Sequence, residues 1–351
     1  MFSLDELKNY PVNWTDGMRV SAKDFATTDA AWNDALRDTR VSLLQGIQFG
    51  LLPPLRDSKD KSLYPKFALD SNRNALTLLE CRAITEGGYR VEITEDLHRK
   101  LSVPAKLPSA SITQKEDFEV YITVNLFQKQ PSGDMSGDAP ARYMYLAPLY
   151  ELTILPKSDG MGLSGMNHLK IAEFKWTGNG FSQDTDYLPP CMTISASAAL
   201  RDRHDKSGSL LKQIHDNSLQ LSKQYRMDSR PDVRDVTIWI DKIISHISGS
   251  LWTYVELLPN KTPYETIIYA KNFAQFIIST AEIHEANPYM RDALKTQRPL
   301  FKALADPHFT GDDLQTAFVR IDAALVGLYR WLKALYESFK VGRVIDVREI
   351  K

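Results

Sequence analysis

Tyr187-Leu188-Pro189-Pro190-Cys191-Met192-Thr193-Ile194-Ser195-Ala196-Ser197, followed by Leu200, is the stretch where the chain changes character. Short β-rich runs broken by Gly and Pro precede it, and long segments with helical apolar periodicity follow. Pro189 and Pro190 lack N–H donors and fix φ, which stiffens the crossing and stops any helix from running through it. Ser195 or Ser197 can then accept from exposed amides and start the next helix.

Working upstream, residues 49–175 read as β structure. Strands are expected over Leu76–Ile84, Tyr89–Ile93, Phe118–Gln128, Tyr143–Leu155 and His168–Lys175. Val120, Ile122, Val124 and Leu126 alternate with Glu119, Tyr121, Thr123 and Asn125, the period of a half-buried strand. Turns are expected at Gly87-Gly88, at Pro131-Ser132-Gly133-Asp134 and over Gly160–Gly165, and Ser132–Pro140 reads as a mobile surface loop. No helix-length segment separates the strands, which favours an antiparallel sandwich over βαβ crossovers. Nearer the start, Pro11, Asp16 and Gly17 interrupt regular structure, and Trp14 is expected to be buried. A helix is expected over Ser21–Gln45, with Ser21 and Asp24 as a capping pair. Its Phe25, Trp32, Leu36 and Leu43 share one stripe, a core or an interface.

Downstream, residues 197–340 read as helical. Leu200, Leu211, Ile214, Leu221 and Tyr225 form one stripe, and Val233, Val236, Ile240, Ile243, Ile247, Leu251, Tyr254 and Leu258 a cleaner one. Thr262-Pro263-Tyr264-Glu265 is a full helix start: Thr at N-cap, Pro at N1, Glu at N3. That helix should stop at Asn287-Pro288, and a shorter one follows near Met290–Leu304. The strongest ladder is Leu314, Phe318, Ile321, Leu325, Leu328, Leu332, Leu335 and Phe339. At roughly 1.5–3 kcal/mol for each side chain, that face must be buried. Periodicity does not separate the core of a monomeric bundle from a seam between copies. The fold class is therefore α+β, an N-terminal antiparallel β-sandwich followed by a helical bundle. The expected division is 1–190, 191–340 and a tail, 341–351.

Composition excludes several function classes. With 43 Lys plus Arg against 44 Asp plus Glu, the formal net charge of the 351 residues is -1, so no global field attracts nucleic acid or an anionic membrane. The two cysteines, Cys81 and Cys191, make no disulfide framework and read as buried packing thiols. The N-terminus has no apolar h-region, and no apolar run approaches the ~20 residues of a membrane span. Gly160-Met161-Gly162-Leu163-Ser164-Gly165 matches G-x-G-x-x-G literally. The residues after it read as a strand, whereas a dinucleotide site needs a helix N-terminus there. The seven histidines show no paired metal spacing, and Asp134 and Asp138 do not have the spacing of a calcium loop. No catalytic residue, cofactor or metal is expected; the alternative is a ligand- or glycan-binding enzyme whose site is assembled from scattered residues.

Gly180-Phe181, Asp184, Tyr187-Leu188-Pro189-Pro190, Ile194-Ser195-Ala196-Ser197 and Leu200 resemble the junction of the TssK family, baseplate components of bacterial type VI secretion systems. Val12-Asn13-Trp14-Thr15-Asp16-Gly17-Met18 with Phe25 also match in order, as do Phe49-Gly50-Leu51, Ala83-Ile84 and Gly87-Gly88-Tyr89. The resemblance implies a cytoplasmic structural adaptor, not an enzyme. Its β-rich shoulder would contact wedge subunits like TssF and TssG, and its helical neck would pack as a homotrimer recruited to the inner-membrane face through a complex. Trp14, Gly17, Met18 and Phe25 match family positions and are the candidates for the shoulder interface; the ladder from Leu314 to Leu335 is the candidate neck core or oligomer seam. The longer relatives carry a C-terminal head that engages the membrane complex. Residues 341–351 are too few for such a head, so docking by another surface or to a lineage-specific partner is expected. The family also resembles phage-tail receptor-binding proteins, a related alternative.

Overall fold

The computed structural model describes residues 9–44, 48–55, 64–94, 102–108, 115–137, 139–159, 163, 165–226, 228, 230–306, 308–309 and 314–340. The chain divides into two compact units, Met1–Met192 and Thr193–Lys351. Antiparallel sheets fill the first and helices the second, the α+β arrangement expected from the change in periodicity.

The first unit opens with helix α1 (Ala22–Leu44). Asp24 reaches back to the Ser21 amide at 2.8 Å, so the expected capping pair forms. Strands β1 (Gly50–Leu51), β2 (Lys66–Asp70), β3 (Ala75–Ile84), β4 (Arg90–Ile93) and β5 (Val103–Lys106) form one sheet around β3. Strands β6 (Phe118–Met135), β7 (Tyr143–Pro156), β8 (His168–Trp176) and β9 (Phe181–Gln183) form a second, in the order β7-β6-β8-β9. The sheets meet through Phe67 of β2 and Phe174 of β8, edge to face at 5.4 Å, with Phe118 stacked on Phe174 at 5.0 Å.

Three expectations change here. Strand β6 does not stop at Gln128: Pro131-Ser132-Gly133-Asp134 lie inside it, not in a turn, and the part of the expected loop up to Met135 is strand. The register shift between Ser132 and Met135 absorbs Gly133 as a bulge, whereas Pro131 keeps its pairing with Leu146 on a part of β6 that β8 no longer flanks, where a missing N–H is tolerated. Nor does the proximal part of β6 alternate: Tyr121 and Thr123 are enclosed together with Val120, Ile122 and Val124, whereas Lys129, Pro131 and Met135 of its distal part are exposed. The short strands β1, β2, β5 and β9 carry too few residues to show a period. Gly160–Gly162 and Ser164 lie outside the described residues; the segment after them is strand β8, as expected.

Pro189-Pro190 is more than a linker. The Leu51 amide donates to the Pro190 carbonyl and the Met192 amide to the Leu51 carbonyl, both at 2.8 Å, so the crossing is laced to β1 as a short parallel bridge. Gly50 makes this approach possible. Its φ is +121, and an added Cβ would stand 2.0 Å from the Pro190 oxygen.

The second unit contains α2 (Ala198–Tyr225), α3 (Pro231–Trp252), α4 (Pro263–Glu282), α5 (Pro288–Ala305) and α6 (Leu314–Lys340). Ser197 caps α2, its side chain accepting from the Leu200 amide. The capping box of α4 forms, with Glu265 accepting the Thr262 amide at 3.0 Å. The apolar periodicity of α3 runs on to Leu258, but the helix widens into a π turn over Thr253–Leu257 and then a 3₁₀ turn ending at Asn260. In α6 the ladder Leu314, Phe318, Ile321, Leu325, Leu328, Leu332 and Leu335 is buried within a single chain; the Phe339 side chain lies outside the described residues, as does the tail 341–351.

The π turn has a local consequence. The Leu258 amide bonds to the Thr253 carbonyl, and Pro259 has no N–H, so no helical donor reaches the Tyr254 carbonyl. His204 of α2 supplies it, its Nε2 standing 3.0 Å from that oxygen while its ring stacks on the Tyr254 ring at 4.3 Å. This bond fixes the Nε2–H tautomer and leaves Nδ1 buried without a partner. Burial holds the His204 pKa below the ordinary imidazole value.

Candidate interaction surfaces

Helix α1 carries its apolar stripe outward. Phe25, Trp32, Leu36 and Leu43 are each at least half exposed, and Trp32 reaches 66%. Only Arg37 and Val41 are buried among the described residues of this helix. They seat it on the Gly87-Gly88-Tyr89 turn: the Arg37 guanidinium lies 3.4 Å from the Tyr89 hydroxyl, and Arg40 donates to the Gly88 carbonyl. A Cβ on Gly88, whose φ is +75, would stand 3.0 Å from Val41 Cγ2 and 3.2 Å from the Arg37 carbonyl oxygen, so a side chain there would be strained and would crowd the helix. Arg37 is held at this seat by Asp38 at 2.6 Å and by Asp34 at 3.5 Å, and Asp34 in turn accepts from the Asn9 amide.

Trp14 is 47% exposed, contrary to the expectation of burial. Its ring leans on Phe25 at 6.1 Å, so the two aromatics continue the α1 stripe instead of entering the core. Gly17 has φ +80 and open space around it; it closes a turn in which the Met18 amide donates to the Thr15 carbonyl. The structure thus brings Trp14 and Phe25 together, with Met18 on the turn between them. Sequence periodicity identifies the stripe but not its exposure. The sequence signal for exposure is the lack of a second stripe on α1: apart from Val41 its opposite face is polar and small.

A second apolar surface lies on the distal part of β6 and β7, where Met135, Tyr143, Met144, Tyr145 and Leu146 are all more than half exposed. Tyr143–Leu146 open the strand expected over Tyr143–Leu155, but the sequence does not signal their exposure, because the partner segment from Pro131 to Pro140 reads as a turn and loop.

Among the described residues, sites for chemistry are sparse. Cys81 and Cys191 are both buried, and burial pushes both thiols up, away from the reactive thiolate. Among the described residues no group of three or more His, Cys, Asp or Glu could hold a metal ion. Glu173, nearly enclosed, accepts from Lys157 at 2.6 Å and from Lys170 at 2.7 Å, and Lys170 also contacts Glu119. Burial alone would raise Glu173, but the two ammonium groups overcome it and hold the carboxyl below its usual range. This is a paired structural cluster with every charge answered. Cavities between the helices, such as that lined by Trp239, Phe301 and Trp331, hold about 10 Å³, room for one water molecule. No described helix is long and apolar enough to cross a membrane.

No protein-family model matches the sequence, and no curated protein matches it. Solved structures do. The chain is similar to one in the type VI secretion system TssK-TssF-TssG baseplate subcomplex, with TM-score 0.60 and 14% identity over 93% of this chain and 100% of that one. It is similar to a chain of the type VI secretion baseplate complex, with TM-score 0.59 and 14% identity over 93% and 99%. TssK of the EAEC type VI system in complex with a nanobody matches with TM-score 0.56 and 12% identity over 87% and 98%. The likeness spans both units, and at such low identity it is a likeness of fold: the chain has the TssK fold.

Proposed function

We propose that this chain is a structural adaptor in the baseplate of a contractile injection machine of the type VI secretion kind. The observation that carries the reading is the likeness, over 93% of the chain, to a chain of the TssK-TssF-TssG subcomplex. In this reading residues 1–190 are a shoulder, 191–340 a neck, and the protein works as a cytoplasmic homotrimer. The shoulder engages wedge subunits similar to TssF and TssG, and the assembly meets the inner-membrane complex directly or through a lineage-specific partner. The outward aromatic face supports a shoulder interface containing Trp14, Gly17, Met18 and Phe25. A rigid apolar patch seated on a helix is the composition of a binding hot spot, and a soluble monomer gains nothing from exposing it.

Co-purification of the full chain with the TssF- and TssG-like proteins of its own organism tests the proposal. Association with them is expected, and Phe25→Asp combined with Trp32→Asp should abolish it while leaving the thermal midpoint unchanged. Association unaffected by those substitutions would remove α1 from the interface, and no association at all would overturn the adaptor reading.

A further inference from the structure

We propose that the helical unit binds one internal water molecule between Trp239, Gln297 and Arg298, as a fixed member of its core. The inference concerns the second unit alone and stands apart from the adaptor reading. Its basis is three polar atoms. Trp239 Nε1 of α3, and Gln297 Oε1 and Arg298 Nε of α5, are each buried and, among the described residues, bonded to no protein group. The three residues line one and the same cavity, whose apolar wall includes Phe301, Leu328 and Trp331 and which offers about 10 Å³. Polar groups shut away from water without partners are costly, so three of them around one space call for a shared partner.

The donor and acceptor pattern selects water. The indole Nε1–H and the guanidinium Nε–H can only donate, and the carboxamide oxygen can only accept. A water molecule accepts from the two donors with its lone pairs and gives a proton to Gln297 Oε1, the three bonds typical of a buried water. The space is that of one water, too small for a phosphate, a carboxylate or an organic ligand. Nor is an anion needed for charge, because Arg298 Nη2 already contacts Glu282 of α4. The donors are also fixed in place. Trp239 is 2% exposed, and its ring stands edge to face on Trp331 of α6 at 4.8 Å.

A glycine on a neighbouring helix points to the same spot. Gly327 lies in the interior of α6, where glycine weakens a helix relative to alanine. A Cβ there would stand 2.5 Å from Gln297 Oε1 and 2.7 Å from Leu300 Cδ1. The missing side chain thus lets the Gln297 carboxamide lie close against α6 with its oxygen at the cavity. Phenylalanine at 239 and methionine at 297 would fill similar volumes and leave nothing to satisfy. The polar pair is consistent with the core only when a water joins α3 to α5.

High-resolution crystallography of the full chain, joined to a double-mutant cycle, tests this. Native crystals should show a density peak within about 2.7–3.2 Å of all three atoms, and crystals of Gln297→Met should lose it with the helices in place. In urea unfolding at one fixed protein concentration, Trp239→Phe and Gln297→Met should each lower the folding equilibrium constant about 5–30-fold. The double variant should lower it by no more than the larger single effect, because either change already removes the shared water. Native density without a peak, or additive losses in the cycle, would overturn the site. Coupled losses without a peak would mean a direct bond between the side chains and would overturn it too. Should Trp239→Phe fail to fold, the Gln297→Met crystals decide alone: a peak that persists there would refute the three-partner water.

Discussion

Replacing Gly50 by Ala should break the lacing between β1 and the Pro189-Pro190 crossing, at a cost of about 3–9 kcal/mol. Two contributions add. Holding a residue with a side chain at φ +121 costs roughly 1–3 kcal/mol. The new Cβ would also stand 2.0 Å from the Pro190 oxygen and 2.4 Å from the Cys191 nitrogen, both backbone atoms that cannot swing away as a side chain would. The crossing must move, and the bonds of the Leu51 and Met192 amides lengthen or break. Each costs about 1–3 kcal/mol when a buried group is left unpaired. Gly178 separates the contributions: at φ +94 with nothing within 4 Å of an added Cβ, Gly178→Ala carries the backbone cost alone, about 1–2 kcal/mol. The Gly50 variant should lower the thermal midpoint of the first unit by roughly 10 °C and the Gly178 variant by about 2–6 °C. Hydrogen exchange read by mass spectrometry should show lost protection at Leu51 and Met192 in the first variant only. Equal midpoints for the two variants, or full protection at Leu51 in Gly50→Ala, would refute the close-approach argument.

Phe318→Ala should destabilise the helical unit by about 3–5 kcal/mol in urea unfolding, because Phe318 is fully buried, whereas Val319→Ser beside it, half exposed, should stay within about 0.5 kcal/mol. His204 is neutral in the folded chain with its pKa depressed by burial. The unfolded chain therefore takes up a proton first as the pH falls below about 6.5; stability is lost from there downward and levels off below the depressed folded value. His204→Gln should flatten that part of a urea-midpoint profile between pH 7.5 and 5. Glu173 carries the opposite sign of charge and a depressed pKa, so its contribution is present above its ordinary value of about 4.5 and disappears as the pH falls through the lower folded value. A Lys170→Met variant should lose part of that acid dependence, read by the same titration continued to pH 3.

Much of the architecture is written in local pattern. The prolines at 189–190 forbid a helix through the crossing, and no sequence with the α6 ladder can leave that face in water. Ser197 and the Thr262–Glu265 box state where helices begin, since those hydrogen bonds close within four residues. Tertiary structure alone decided what covers each face. Periodicity puts Phe25, Trp32, Leu36 and Leu43 on one stripe, but whether a stripe is core or surface depends on what the remote Gly87-Gly88-Tyr89 turn accepts, and it accepts Arg37 and Val41. Gly17 and Gly50 look alike in sequence; only the approach of Pro190 makes the second irreplaceable. Pro131 and Gly133 signal a turn by composition, yet they continue β6, because β7 lies alongside to pair with Pro131 and a bulge takes up Gly133. Short-range geometry belongs to neighbouring residues, whereas burial and exposure belong to residues that meet only after the chain has folded.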